Sequence, residues 1–197
     1  MDVKKRVREI FLQEAQAISS IPISDNFEKA AGLLKDCTGK VLTTGMGKAG
    51  HIANKFSATL SSTGTPASFL HPGEAAHGDL GLIEENDAMV AFSTSGKTRE
   101  VLEVLTAGRE LGLHTVIGIT SHPDSRLRDL SDVILDMGTI REACPLDLTP
   151  TSSMAVMLAI SDALALLLME LKHFGREDYG KRHHGGYLGL KARNEHG

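Results

Sequence analysis

Apolar residues along this chain follow one rhythm before Gly39 and another after it. In the first stretch Val7, Ile10, Phe11 and Ile18 recur at helical spacing, which predicts a helix from about residue 3 to 19. Pro22 ends it, and Ser24-Asp25 can cap a second helix running to about Lys35. Beyond Gly39, short apolar runs alternate with helical segments. Strands are predicted at Val41–Thr44, Ala67–Leu70, Ala88–Phe92, His114–Thr120 and Val133–Leu135. Helices fall at Lys48–Ser61, Arg99–Leu111 and Ser125–Leu130, and a long one runs from Thr151 to about Phe174 before Gly175. Near-continuous apolar strands alternating with helices indicate a parallel sheet covered on both faces. Five such strands make the class α/β and fit a doubly wound sheet.

No linker, repeat or charge block marks a boundary, so residues 1–197 read as one domain: N-terminal helices 1–37, a core 38–175 and a tail 176–197. The stretch from Lys181 to Gly197 is rich in Gly, His and basic residues. It reads as irregular or weakly helical, either disordered or folded over a site. Composition narrows the function classes. At 41% hydrophobic and 23% charged, with net charge −4, the chain offers no electrostatic case for nucleic acid. Cys37 and Cys144 are too few and too far apart for a disulfide framework, which fits a reducing compartment. The most apolar stretch, Leu158–Leu171, is interrupted by Ser161, Asp162 and Glu170, so a buried helix is expected and no membrane partner. The basic start Met1–Arg6 leads into no signal-peptide core, and the expected location is cytoplasmic.

Three loops carry candidate chemistry. Ser93-Thr94-Ser95-Gly96-Lys97-Thr98-Arg99-Glu100 has the ending of a Walker A loop, but Ala91 stands where that loop needs its first glycine. Hydroxyls of Ser93, Ser95 and Thr98 beside free N–H groups at a helix start still make a seat for a phosphate monoester, with Thr94 a further contact. Gly45-Met46-Gly47-Lys48-Ala49-Gly50 is formally a dinucleotide fingerprint, yet the acid expected at the end of the next strand is absent at Leu70-His71. A tight turn explains these glycines, and so does a backbone opened toward a sugar phosphate at Gly47 with Lys48 as the charged group. His71-Pro72-Gly73-Glu74-Ala75-Ala76-His77-Gly78-Asp79 gathers two histidines and two carboxylates, suited to metal, acid–base work or a solvated loop. Farther on, Glu142 beside Ala143-Cys144-Pro145 can be tuned as a base if burial raises its pKa. Thr149 or Thr151 can cap the long helix, with Pro150 in its first turn. His183-His184-Gly185-Gly186 is either surface tail or part of a site.

Together these segments resemble the sugar isomerase (SIS) domain, and within it the arabinose 5-phosphate isomerases. The shared wording is Gly45-Met46-Gly47-Lys48-x-Gly50-His51-Ile52, Ser62-Thr63-Gly64-Thr65-Pro66 and His71-Pro72-Gly73-Glu74-Ala75-Ala76-His77-Gly78-Asp79-Leu80-Gly81. It continues in Glu142-Ala143-Cys144-Pro145-Leu146, Pro150-Thr151-Ser152-Ser153 and Gly185-Gly186-x-Leu188-Gly189. The resemblance implies a flavodoxin-like α/β/α sandwich that assembles as a homotetramer with active sites at subunit interfaces. It implies interconversion of D-ribulose 5-phosphate and D-arabinose 5-phosphate, a step toward the lipopolysaccharide or capsule sugar Kdo. By the same resemblance Lys48, Glu100, Glu142 and His183 fall on catalytic positions, and His77, which falls on a substrate-contacting one, is a further catalytic candidate as a proton-transfer group. Gly47, Gly64, Thr65, His71, Ser93, Thr94, Ser95 and Thr98 are substrate contacts, and His71 is also a position that can take an inhibitory zinc. No cofactor is required. Lys97 stands where the family commonly has an acid, and His184 where it has a proline. Full-length members carry a pair of CBS domains after the SIS domain, and this chain reads as the short form.

The chemistry expected is proton transfer between C1 and C2 through an enediol(ate), with the phosphate anchored away from the reacting carbons. A histidine is favoured as carbon base because its ordinary pKa of ~6.5 lies near neutrality. Isomerisation of another sugar phosphate and a non-catalytic phosphosugar-binding module are the alternatives.

Overall fold

Parity along each strand decides which of two cores its side chains enter. In β3 (Ala88–Phe92), Ala88, Val90 and Phe92 join one core while Met89 and Ala91 join the other. In β1 (Val41–Gly45), β4 (Thr115–Thr120) and β5 (Val133–Asp136), Val41, Ile117, Ile119, Val133 and Leu135 face the first core, and Leu42, Val116 and Ile134 the second. Strands buried on both faces have no polar side to present, hence their continuous apolar runs. In the computed structural model, which describes residues 1–193, these strands and the short β2 (Ala67–Phe69) form one all-parallel sheet of order β2-β1-β3-β4-β5. Its register sets Val41 beside both Ala67 and Ala88, and Ala88 beside Thr115.

Helices α2 (Asn26–Asp36), α3 (Gly47–Ser62) and α7 (Ser152–Leu171) supply the first core, with Phe56 of α3 meeting Phe92 edge-on at 5.8 Å. The second is closed by α5 (Arg99–Glu110), α6 (Arg126–Leu130) and the single turn α4 (Pro72–Ala75). The architecture is the expected three-layer α/β/α sandwich. By length and composition α7 could cross a membrane, but Val156, Met157, Ile160, Leu164 and Leu168 are buried in the first core.

Several local expectations change. The segment after β2 carries α4 and a 3-10 turn at Asp79–Leu82, where the sequence indicated only a loop. The tail forms α8 (Arg176–Arg182) and α9 (Gly186–Ala192) as far as it is described, and residues 194–197 lie outside the described part. Glycines there do not prevent helix, and Gly189 serves close packing. A side chain at Gly189 would collide with the His183 carbonyl, and Arg176 reaches from α8 to the Ala192 carbonyl at 2.9 Å. Helix α1 (Val3–Ser19) forms over the residues expected. Arg6, Ile10, Gln13, Glu14 and Ala17 face the protein, whereas Val7 and Phe11 remain 42% and 66% exposed. Of the apolar residues that mark the helix, Val7, Phe11 and Ile18 thus point away from this chain's own core, while Ile10 is half-buried.

Candidate functional site

The sheet order places a topological switch between β1 and β3. From β1 the chain runs into α3 on one face, and from β3 into α5 on the other, so their loops part over a crevice at the carboxyl edge. Both phosphate-loop candidates sit there.

On the β3 side, Ser93 is 3% exposed and its hydroxyl lies 2.8 Å from that of Thr98. Between them the chain turns tightly. Gly96 donates to the Ser93 carbonyl at 3.0 Å, and the Lys97 N–H donates to Ser95 Oγ at 3.2 Å. The turn is buttressed from α6, where the Leu127 N–H donates to the Gly96 carbonyl at 3.1 Å. Thr120 Oγ1 donates to the Thr94 carbonyl at 3.0 Å, which ties the loop to β4 as well. Thr98 is the N-cap of α5 without a side-chain cap bond, so the first N–H groups of this 12-residue helix remain for a ligand. Glu100 lies in that first turn, half-buried and 3.8 Å from Arg99. Lys97 is exposed at the apex. On the β1 side, Gly47 and Lys48 open α3 with exposed positions.

His71 follows β2 at the same edge of the sheet, and its Nδ1 accepts from the Gly73 N–H at 3.2 Å. His77 is exposed just beyond α4. Among the described residues no three His, Cys, Asp or Glu side chains gather as metal donors, so His71 has no ready-made zinc set within this chain.

Glu142 holds the most elaborate set of contacts. Its Oε2 accepts from the Thr151 N–H at 2.7 Å, the Thr151 hydroxyl at 3.1 Å and the Ser153 N–H at 3.3 Å. The carboxylate thereby caps the 20-residue α7, where a negative charge is favoured by the helix dipole. This corrects two expectations. Thr151 occupies the N-cap position but makes no side-chain cap bond, because Glu142 supplies it. Nor is Glu142 tuned upward. Partial burial pushes its carboxyl up, but the hydrogen bonds from Ser153 and Thr151 outweigh it and hold the group below the ordinary carboxylate value. Helices α3 and α7 begin at this same edge and are tied by a Lys55–Asp162 ion pair, so Lys48 and Glu142 project from one end of the sheet.

Gly64, Thr65 and His183 do not join them. Thr65 Oγ1 accepts from Lys172 Nζ at 3.0 Å, just past the far end of α7. Gly64, at φ +94°, packs on the Phe174 ring, which lies 4.9 Å from the Arg182 guanidinium. His183 stacks on Tyr179 at 3.8 Å, with Nδ1 3.0 Å from the Tyr179 carbonyl. At 1.5 Å per residue, the 20 residues of α7 separate this group from Glu142 by roughly 30 Å. Sequence reasoning missed Lys172, whose partner is 107 residues away and which no local pattern marks.

The SIS domain family matches residues 33–167. The arabinose 5-phosphate isomerase KdsD of Pseudomonas aeruginosa is 46% identical over 180 residues, 90% of this chain and 55% of that protein. The arabinose 5-phosphate isomerase GutQ of Escherichia coli K12 is 42% identical over 190 residues, 95% of this chain and 59% of that protein. The chain thus spans little more than half the length of these relatives. Among solved structures, a Bacteroides fragilis protein described as a candidate phosphosugar isomerase involved in capsule formation superposes with a TM-score of 0.91 at 46% identity, covering 93% of this chain and 98% of that one. An E. coli CFT073 protein in complex with arabinose 5-phosphate superposes at 0.88 with 37% identity, covering 92% and 97%. The matched residues take in the sheet, both switch-point loops and most of α7, and the chain belongs to the SIS domain family.

Proposed function

We propose that the chain is an aldose–ketose isomerase that interconverts D-ribulose 5-phosphate and D-arabinose 5-phosphate through an enediol(ate), supplying the precursor of Kdo. The observation that carries this is the β3–α5 turn: a hydroxyl-lined loop and an uncapped helix start at the switch-point crevice, in a chain 46% identical to an arabinose 5-phosphate isomerase. The phosphate is held by Ser93, Thr94, Ser95 and Thr98 with the α5 N–H groups, and Lys97 adds positive charge at the rim. Lys48 stabilises the developing oxyanion.

The low-lying Glu142 carboxyl makes it a weak base and a firm anchor, which favours a histidine, His183 or His77, as the carbon base. Glu142 and Glu100 shuttle protons on the sugar oxygens. The route asks for no redox cofactor, and no step runs through a metal.

The functional unit is a homotetramer whose active sites lie at subunit interfaces. Two observations support it. Val3, Val7, Phe11 and Ile18 form an outward apolar stripe on α1, and Leu166, Leu167 and Leu171 are exposed on α7. In addition, His183, Gly64 and Thr65 stand roughly 30 Å from Glu142 within one chain. A second copy can bring one chain's Thr65–His183 end to another chain's Glu142 end.

Incubation with ribulose 5-phosphate in D2O, followed by NMR, tests the reading. The expected result is arabinose 5-phosphate carrying deuterium at C2. Ligand-dependent stabilisation without product makes the protein a phosphosugar-binding module instead, and turnover of a different sugar phosphate alone reassigns the substrate.

A further inference from the structure

Among the described helices longer than two turns, α1 alone buries no residue. Its inward face packs Ala17 against the first core, and its polar contacts with distant parts of the chain converge on one place. Arg6 Nη2 donates to the Ala143 carbonyl at 2.6 Å. Gln13 Nε2 donates to the Glu142 carbonyl at 3.0 Å and reaches the Arg141 carbonyl at 3.4 Å. Two turns of helix apart on one face, these side chains take three consecutive carbonyls, with Glu142 in the middle.

The rest of that peptide is held from the other side. The Glu142 N–H donates to Asp147 Oδ1 at 2.6 Å, and the Ala143 N–H donates to the Thr151 hydroxyl at 3.2 Å. Ile140 and Ala143 pack inward, but a cavity of about 920 Å³ opens between α1 and residues 139–145, so contact across it rests on hydrogen bonds. On the α1 side the hydrogen bonds that hold the Glu142 backbone come from Arg6 and Gln13. A displacement of ~1 Å at a reacting group can lower turnover about a hundredfold.

We propose that Arg6 and Gln13 are positioning residues for Glu142, clasping the carbonyls of residues 141–143 so that the carboxylate stays seated on the first turn of α7. The inference rests on reading Glu142 as a proton-transfer group of the isomerase. It gives α1 a part in the chemistry although it supplies no group to the crevice.

Two variants of the full chain test this. Gln13→Met keeps length and apolar contact but removes both donors, and Arg6→Lys keeps the charge and one donor. Turnover of ribulose 5-phosphate and hydrogen exchange at the Thr151 and Ser153 amides are the readouts. For Gln13→Met, kcat falls about tenfold with KM within about twofold, the split of a misplaced reacting group rather than a lost binding contact. Exchange at both amides rises at least about tenfold, while the β3 amides keep their protection. Arg6→Lys retains most of the wild-type kcat. Unchanged kcat with unchanged exchange in Gln13→Met overturns the proposal, as does a rise in KM at constant kcat. Should Gln13→Met not fold, Gln13→Asn, whose amide falls one carbon short, is read by the same criteria. If the wild-type protein turns over no sugar phosphate, the isomerase reading has failed, and amide exchange alone decides whether the clasp exists.

Discussion

The Ser93 and Thr98 hydroxyls lie 2.8 Å apart, so two residues on either side of a tight turn close it side chain to side chain. Ser93 is buried and Thr98 is half-buried at the start of α5. The pair shapes the turn before any ligand arrives. Thr98→Ala removes the partner of a buried hydroxyl, costing about 1 kcal/mol of stability. It also raises KM for the sugar phosphate several-fold with a smaller change in kcat. Steady-state kinetics with ribulose 5-phosphate check it, and a lowered kcat at constant KM contradicts an anchoring role.

Glu142 carries a pH signature. Its folded pKa lies below the ordinary 4.5, so its contribution to stability is fully present above that value and is lost as pH falls through the folded pKa. Glu142→Gln therefore destabilises by about 1 kcal/mol at pH 7, the usual value of a charged cap at a helix start. The difference from wild type shrinks below pH 4.5. Thermal melts across pH measure it, and a gap that widens in acid refutes the assignment. Turnover of the same variant drops about a hundredfold if Glu142 moves protons.

Cys144 is expected to react with electrophiles ahead of Cys37, the other free thiol. Backbone N–H groups of Thr149 and Leu148 point at its sulfur at 3.2 and 3.3 Å and lower its pKa from 9.0 to about 7. Iodoacetamide modifies Cys144 ahead of Cys37, with a rate that climbs through neutrality and levels off above it. Mass spectrometry of the two peptides checks the order. Cys144→Ser abolishes the fast phase.

Gly64 cannot take a side chain without moving Phe174. A Cβ there would stand 2.5 Å from the ring, at a φ of +94° that L residues rarely adopt. Gly64→Ala lowers stability by about 2 kcal/mol, or roughly 5 °C in Tm. An unchanged Tm shows that the ring moves aside freely.

The proposed sharing of one site between two chains is tested by a mixing experiment. Glu142→Gln and His183→Ala are each inactive when pure, but random co-assembly leaves about a quarter of the sites with both groups intact. Co-expression should recover that fraction of turnover. No recovery, with mixed oligomers demonstrated by mass, means that each chain works alone.

The sheet was readable because its information is local: Ala88 to Phe92 are all buried, so apolar residues run without a break. The Ser93–Thr98 turn was readable for the same reason, as its partners lie five residues apart. Glu142 was recognisable as important but not in its manner of use, since capping α7 depends on how residues 142–151 fold back on themselves. Lys172 and Thr65 meet only through the fold. With α1 the helix itself was legible, but periodicity could not tell what covers its apolar residues: Phe11 marks a helix, not its partner.

The absence of any buried residue in α1 also sets an order of events on heating. A segment with so little core is a weakly protected unit, free to open while the doubly covered sheet stays shut. Working temperature and unfolding temperature need not coincide in such a protein. Activity is expected to fade reversibly below the cooperative melt, and, if a second copy covers the outward stripe of α1, the interval is expected to widen on dilution.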